Sequence, residues 1–379
     1  MKKIAILLIM GMISIAVAGT TGTPPRLVNS TGDFEHPGQG VTNQSLAWTK
    51  MQTFFGNEHI FLLSRLDQGY WLFIQIFTFK YGPMQKYGVY SKVMDDNGKT
   101  WFAKREVDTK DAIVSYNSIN WESKGTSIRG NHPEFRFIIK EEAFQADVTA
   151  KAFFKGWDMG RFYYEENDKK AYWDVPVYLP WGRLEGTITL DGKTIKASGY
   201  AYGDRVHGVH RFDLVDPILY CIRGVSPVQG SPQVSIQVAY NGINPAHGNA
   251  YNAILMVMNP NGFLITSQKL KIHGADYRKD NETGYTFPRS FIVEADDPGK
   301  GFKLRGAFKA DRPIEIMDVI SQLPPYLRAL AAKFFKLPVF SKWDGIFEGV
   351  YTFKGEQVKF RIRSMGEASF VGGPETIMK

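Results

Sequence analysis

The chain has 379 residues, 44% of them hydrophobic and 22% charged, with a formal net charge of +8. That apolar content excludes an intrinsically disordered chain, and 37 Gly beside a single Cys exclude collagen-like and disulfide-stapled folds. The basic residues are dispersed, without the Lys/Arg-rich run that tracks phosphate, so no nucleic-acid partner is expected.

Residues 1–18 have the three parts of a secretory signal. Lys2 and Lys3 form the basic end, residues 4–15 the apolar stretch, and Ala16-Val17-Ala18 the small residues before cleavage. The apolar stretch is short for a bilayer span. The expectation is a soluble exported protein, periplasmic or in an extracellular or secretory lumen, cleaved near Ala18. Residues 19–47, rich in Gly, Thr, Pro and Asn, read as a linker. Asn29, Asn43 and Asn281 sit in Asn-x-Ser/Thr patterns, which carry sugar only in a eukaryotic secretory host.

From Trp48 the pattern is that of strands. Aromatics make up 14% of the chain, which suits β-structure or an aromatic-lined cavity. Strands are predicted over 70–79, 135–140, 147–154, 254–258, 263–271, 303–308 and 358–363. Val148, Ala150 and Ala152 alternate with Asp147, Thr149 and Lys151, so one face is buried and one wet. Asn97-Gly98, Asp191-Gly192 and Asn261-Gly262 mark hairpin turns, where both corners tolerate positive φ. Tyr70, Trp71, Phe73, Phe77 and Phe79 suit a cavity wall and a barrel core equally.

The window 199–212 concentrates Tyr200, Tyr202, Asp204, Arg205, His207, His210 and Arg211. Three readings compete for it. A metal site would use Asp204, His207 and His210, but no Cys joins them and Arg205 and Arg211 would repel a cation. Acid–base chemistry would pair Asp204 with His207 or His210. The third reading is a junction whose charges pair between barrels or fill the core. No nucleophile elbow and no phosphate loop occur, and neither a cofactor nor a metal is expected. Cys221 lies in an apolar strand-like run and reads as core.

Residues 311–337 are helical in spacing. Pro324-Pro325 should start a fresh helix, with Leu327, Leu330, Ala331 and Phe334 on one face. It either plugs or flanks a barrel, or, between Pro324 and Lys336, touches a membrane transiently or acts as a lid.

The chain also repeats itself. EGTITLDGKTIK (185–196) parallels EGVYTFKGEQVK (348–359), preceded by Trp181 and Trp343. Residues 93–98 parallel 257–262, 74–76 parallel 236–238, and 137–140 parallel 291–294. The order is constant and the period is that of a domain, too long for a solenoid unit. Two tandem copies are therefore expected, at 48–202 and 203–379. About eight strands per copy would close a barrel able to hold one small ligand.

Two stretches carry a resemblance. They are Gly69-Tyr70-Trp71-Leu72-Phe73-Ile74-Gln75-Ile76, and the run from Trp181 to Tyr200 with its aromatic-Gly-Arg-Leu-Glu-Gly-Thr-Ile and Asp-Gly-Lys segments. They resemble the survival factor family, which groups with carotenoid hydratase and AttH-like proteins and with fungal Diels–Alder cyclases. The resemblance implies two lipocalin-like barrels in tandem. It also implies either a carrier of sphingolipid-type lipids linked to stress survival, or an enzyme acting on polyene or isoprenoid substrates. A His-containing run follows the motif in survival factor proteins, where His207 and His210 stand here.

The combined expectation is an all-β protein of two tandem lipocalin-like barrels, with a short helical segment in the second half. Its first functional reading is an exported carrier of a hydrophobic ligand, with Tyr202, Arg205, His207 and Arg211 holding the ligand's polar group. The alternative is a hydratase, isomerase or cyclase of an unsaturated lipid, with Asp204, His207 and His210 as acid and base.

Overall fold

The computed structural model describes residues 26–28, 41–53, 55–81, 83–166, 169–209, 218–242, 251–281, 283–318 and 338–371. The first half contains β1 (Arg26–Val28), β2 (Phe55–Leu66), β3 (Trp71–Tyr81), β4 (Met84–Met94) and β5 (Thr100–Asp108). The short β6 (Ile113–Val114) and β7 (Trp121–Ser123) follow, then β8 (Thr126–Asn131), β9 (Glu134–Lys140) and β10 (Phe144–Ala152). It ends with β11 (Trp157–Glu166), β12 (Lys169–Val177), β13 (Leu179–Leu190) and β14 (Lys193–Val209). The second half contains β15 (Ile218–Pro227), β16 (Ser235–Gly242), β17 (Tyr251–Asn259), β18 (Gly262–Ser267) and β19 (Leu270–Lys279). Then come β20 (Thr286–Asp297), β21 (Phe302–Asp318), β22 (Pro338–Phe353) and β23 (Glu356–Val371).

The duplication is visible in the strand order. One sheet runs β5-β4-β3-β2-β14-β13-β10-β9-β8, and the other runs β18-β17-β16-β15-β23-β22-β21-β20-β19. The two paths correspond strand for strand, all antiparallel. The first sheet adds β7 and β6 at its edge and a β11–β12 hairpin, held by β12 against β14. This is a tandem lipocalin-like architecture, each sheet curling around its own core. Ile60, Leu62, Ile74, Phe135 and Leu184 fill the first, and Ile222, Ile236, Phe291, Phe308 and Phe347 the second. Each such side chain removed from water contributes roughly 1.5–3 kcal/mol.

The repeated sequence pieces are hairpins in equivalent places. Asp191-Gly192 joins β13 to β14 with φ of 49° and 76°, and Lys354-Gly355 joins β22 to β23 with φ of 51° and 87°. Positive φ at both corners matches the twist of the strands, so Gly is favoured at the second. At Asn97-Gly98 and Asn261-Gly262 only the Gly has positive φ. There Asp95 Oδ1 and Asn259 Oδ1 accept from the backbone N–H of Asn97 and Asn261 and shape the turn instead. The repeated Glu-Gly pair has its own cause. A Cβ on Gly186 would meet the Asp147 carbonyl, and one on Gly349 would meet the Arg305 carbonyl, so both positions serve close strand approach.

Three expectations change. Residues 311–318 are not helical but continue β21, paired with β22. Bulges at Ala310/Arg312 and Pro313/Glu315 admit Pro313, which a regular ladder would reject. The rest of that segment, with Pro324 and Lys336, lies outside the described residues. The strand expected over 263–271 is two strands, β18 and β19. And β14 runs through the expected 202/203 boundary, so residues 203–209 belong to the first sheet.

Candidate active site between the two sheets

Strands with one buried face alternate cleanly, but β2, β3 and β14 are buried on both faces. Ile60, Leu62, Leu72 and Ile74 point into the first barrel, while Phe61, Leu63, Trp71 and Phe73 point away from it. The second set packs with Val225, Ile254, Met256, Met258 and Met365 of the second half. Polar contacts also cross this seam. Trp181 Nε1 donates to the Val225 carbonyl at 2.8 Å, and Lys92 Nζ to the Ile314 carbonyl at 2.7 Å. Asp96 accepts from both Arg65 (2.7 Å) and Arg312 (2.8 Å).

Within the seam lies a cavity of about 370 Å³, a size that suits a small apolar molecule. The first half supplies Phe61, Phe73, Phe77, Phe79 and Met159, with His59, Tyr202 and Asp204 as polar groups. The second supplies Ile254, Met256 and Cys221, with Arg223, Gln237, Lys342 and Glu367. This cavity lies between the barrels, whose own interiors are filled by side chains.

Strand pairing brings the second half's charges together from distant sequence. Glu367 lies opposite Cys221 on β15 and opposite Lys342 on β22, and Lys342 lies opposite Glu315 on β21. Arg223 donates to Glu367 at 2.8 Å, and Lys342 to Glu315 at 3.0 Å. The Arg223 guanidinium sits 5.1 Å from the Phe61 ring centre, and the Lys342 ammonium 4.8 Å from that of Phe73. Burial pushes Glu367 up, but Lys342 and Arg223 outweigh it and hold the carboxyl below its ordinary range.

Asp204 behaves oppositely. It is 3% exposed, and burial pushes its carboxyl above the ordinary 3.8 against the pull of Arg223. The Tyr202 hydroxyl hydrogen-bonds the carboxyl, and burial raises Tyr202 well above its own usual value. Asp204 Oδ1 has no hydrogen-bond partner among the described residues. His59, on the same wall, is pushed down to about 3 by burial and then by Arg223, so it is a neutral imidazole near neutral pH. The Cys221 thiol is pushed up to about 12 by burial, which makes it inert core as expected.

The residues singled out from the 199–212 window therefore separate. Tyr202 and Asp204 line the cavity. Arg205 and His207 face the other way, toward a polar recess with Trp48, Thr49, Tyr116 and Asp174. Arg205 donates to Glu58 (2.9 Å), Asp174 (3.3 Å), Thr49 Oγ1 (3.0 Å) and the Ser45 carbonyl (3.2 Å). It pins residues 42–50 to the first sheet, and these pairings lie within that half rather than between barrels. His207 Nδ1 lies 3.8 Å from Asp174. Arg205 and His207 thus do not line this cavity. His210 and Arg211 lie outside the described residues. Sequence reasoning missed His59, Arg223, Gln237, Lys342 and Glu367, which are scattered over several strands and whose spatial neighbours no local pattern reveals. Among the described residues no group of three or more His, Cys, Asp or Glu is placed to hold a metal ion.

No protein-family model matches the chain, and no curated protein does. Solved structures do. An AttH-type protein from Nitrosomonas europaea matches at 14% identity and TM-score 0.57, over 89% of this chain and 98% of that one. CghA with bound Sch210972 matches at 11% identity and TM-score 0.57, over 92% and 99%. Kievitone hydratase from Nectria haematococca matches at 11% identity and TM-score 0.56, over 92% and 97%. The chain has the tandem lipocalin-like fold of these AttH-type proteins, the group its sequence resembles.

Proposed function

We propose that the protein is an enzyme of the hydratase or cyclase type that protonates an unsaturated apolar substrate in the cavity between the sheets. The observation that carries this reading is Asp204, a buried carboxyl raised toward its protonated form, with one oxygen unpartnered at an apolar wall. A carboxyl kept protonated by burial is a proton donor. Its proton passes to one carbon of a C=C bond, and a carbocation forms at the other. Water then adds and the oxonium so formed loses a proton, or a second C=C closes a ring and the new cation loses a proton from a neighbouring carbon. In either case that proton returns to the Asp204 carboxylate. Phe61, Phe73 and Phe77 line the cavity, and an aromatic ring stabilises such a cation where its face meets it. Arg223 and Lys342 do not oppose it strongly, since Glu367 and Glu315 balance their charges. A hydratase among the similar structures favours this reading over the carrier reading.

The test uses isoprenoid alcohols, farnesol first, incubated with the protein in deuterium oxide and read by mass spectrometry. Deuterium should enter a carbon position of the product with the wild type, and not with Asp204→Asn. Farnesol that binds but gains no carbon-bound deuterium contradicts the enzyme reading and supports a carrier.

A further inference from the structure

Gln237 lies on β16 between Arg223 of β15 and Met256 of β17. It is 3% exposed and lines the cavity. Its amide orientation is set by its neighbours. Ser235 Oγ donates to the Gly224 carbonyl at 2.7 Å. Gln237 Nε2 donates to the same carbonyl at 3.2 Å and to Ser235 Oγ at 3.0 Å. A carbonyl accepts only, so the group facing it must be the NH₂, and the oxygen takes the other position. That oxygen, Oε1, is buried and has no hydrogen-bond partner among the described residues. The guanidinium of Arg223, its cross-strand neighbour, is turned to Glu367. A buried amide oxygen without a donor is costly, and the cost is relieved when a ligand supplies an O–H.

We propose that Gln237 Oε1 accepts a hydrogen bond from a hydroxyl group of the ligand, so that the cavity selects apolar molecules bearing an alcohol. This rests on the cavity being the substrate site, and it names the substrate class as an unsaturated alcohol. The apolar wall from Ile254 and Met256 holds the hydrocarbon, while Gln237 fixes its polar end.

The test compares farnesol with farnesyl methyl ether by calorimetric titration of the whole chain. The ether keeps the hydrocarbon and the oxygen but lacks the donor. Farnesol should bind about tenfold tighter, the worth of one buried hydrogen bond. Gln237→Met, close in size and without the amide oxygen, should bring farnesol down to the affinity of the ether. Asp204→Asn should keep the preference while losing turnover. Equal affinities in the wild type overturn the proposal, and that comparison needs no variant. Failure to bind farnesol overturns it too, as does a preference that survives Gln237→Met or vanishes in Asp204→Asn. A farnesol preference without deuterium incorporation would sink the reaction and leave this assignment standing.

Discussion

Asp204 and Arg205 are adjacent in β14 and both are buried, yet they stand in opposite surroundings. Arg205 faces the first barrel, where Glu58, Asp174, Thr49 and Ser45 accept its hydrogen bonds. Glu58 is equally provided for, accepting from Arg205 and, at 3.0 Å, from the Thr49 backbone N–H. Asp204 faces the seam, where an apolar wall leaves one of its oxygens unpartnered. A fully paired buried charge holds a structure together, whereas an incompletely paired one is available for chemistry. The same strand therefore carries a fully paired structural face and an incompletely paired face proposed for chemistry, one residue apart.

The largest effect comes from breaking the structural face. Arg205→Leu leaves Glu58 buried without its partner and should cost about 3–5 kcal/mol of stability, read by urea unfolding. A loss under about 1 kcal/mol would show that the pairing is not what secures residues 42–50. On the functional face the outcome should invert. Asp204→Asn should lower turnover about a hundredfold or more, as removal of a general acid does, and should not lower the unfolding midpoint. Unchanged turnover would remove Asp204 from the chemistry.

Two groups of the cavity wall also predict opposite pH dependence. His59 is held down at about 3 in the fold against 6.5 unfolded, so the unfolded chain takes up its proton first. Its share of stability is present above about 6.5 and is lost as pH falls toward 3, and His59→Gln should flatten that slope. Asp204 is raised, so its contribution is largest below 3.8 and declines as pH rises through its folded value. Relative to wild type, Asp204→Asn should gain stability with rising pH; a parallel pair of stability curves would contradict the raised carboxyl. The smallest effect belongs to the seam's rim. Asp96→Asn loosens Arg65 and Arg312, but Asp96 is 57% exposed, so the cost should be about 1 kcal/mol or less and should shrink with added salt.

The fold was more legible in the sequence than the site. The Asp191-Gly192 turn, the repeated Glu-Gly pairs and the alternation of Val148, Ala150 and Ala152 are local signals, and each survives in the structure. The segment 311–318 misled because its spacing read as helical, while the bulges that let it continue as a strand depend on β22. The site was half legible. Tyr202 and Asp204 stood out by density, but density does not report which face of a strand a residue takes. Arg205 and His207 shared the window and not the face. Gln237, Arg223 and Glu367 come together through pairing of strands distant in sequence, and His59 joins them only across the seam between the sheets, which no local pattern records.

The central claim is that Asp204 keeps its proton where exposed carboxylates lose theirs. Infrared titration of the wild type beside Asp204→Asn tests it without any substrate. The account predicts a protonated-carboxyl band that persists above the pH at which ordinary carboxylates have ionised and that is missing in Asp204→Asn. A wild-type band that disappears together with the exposed carboxylates, leaving the two proteins alike, would contradict it.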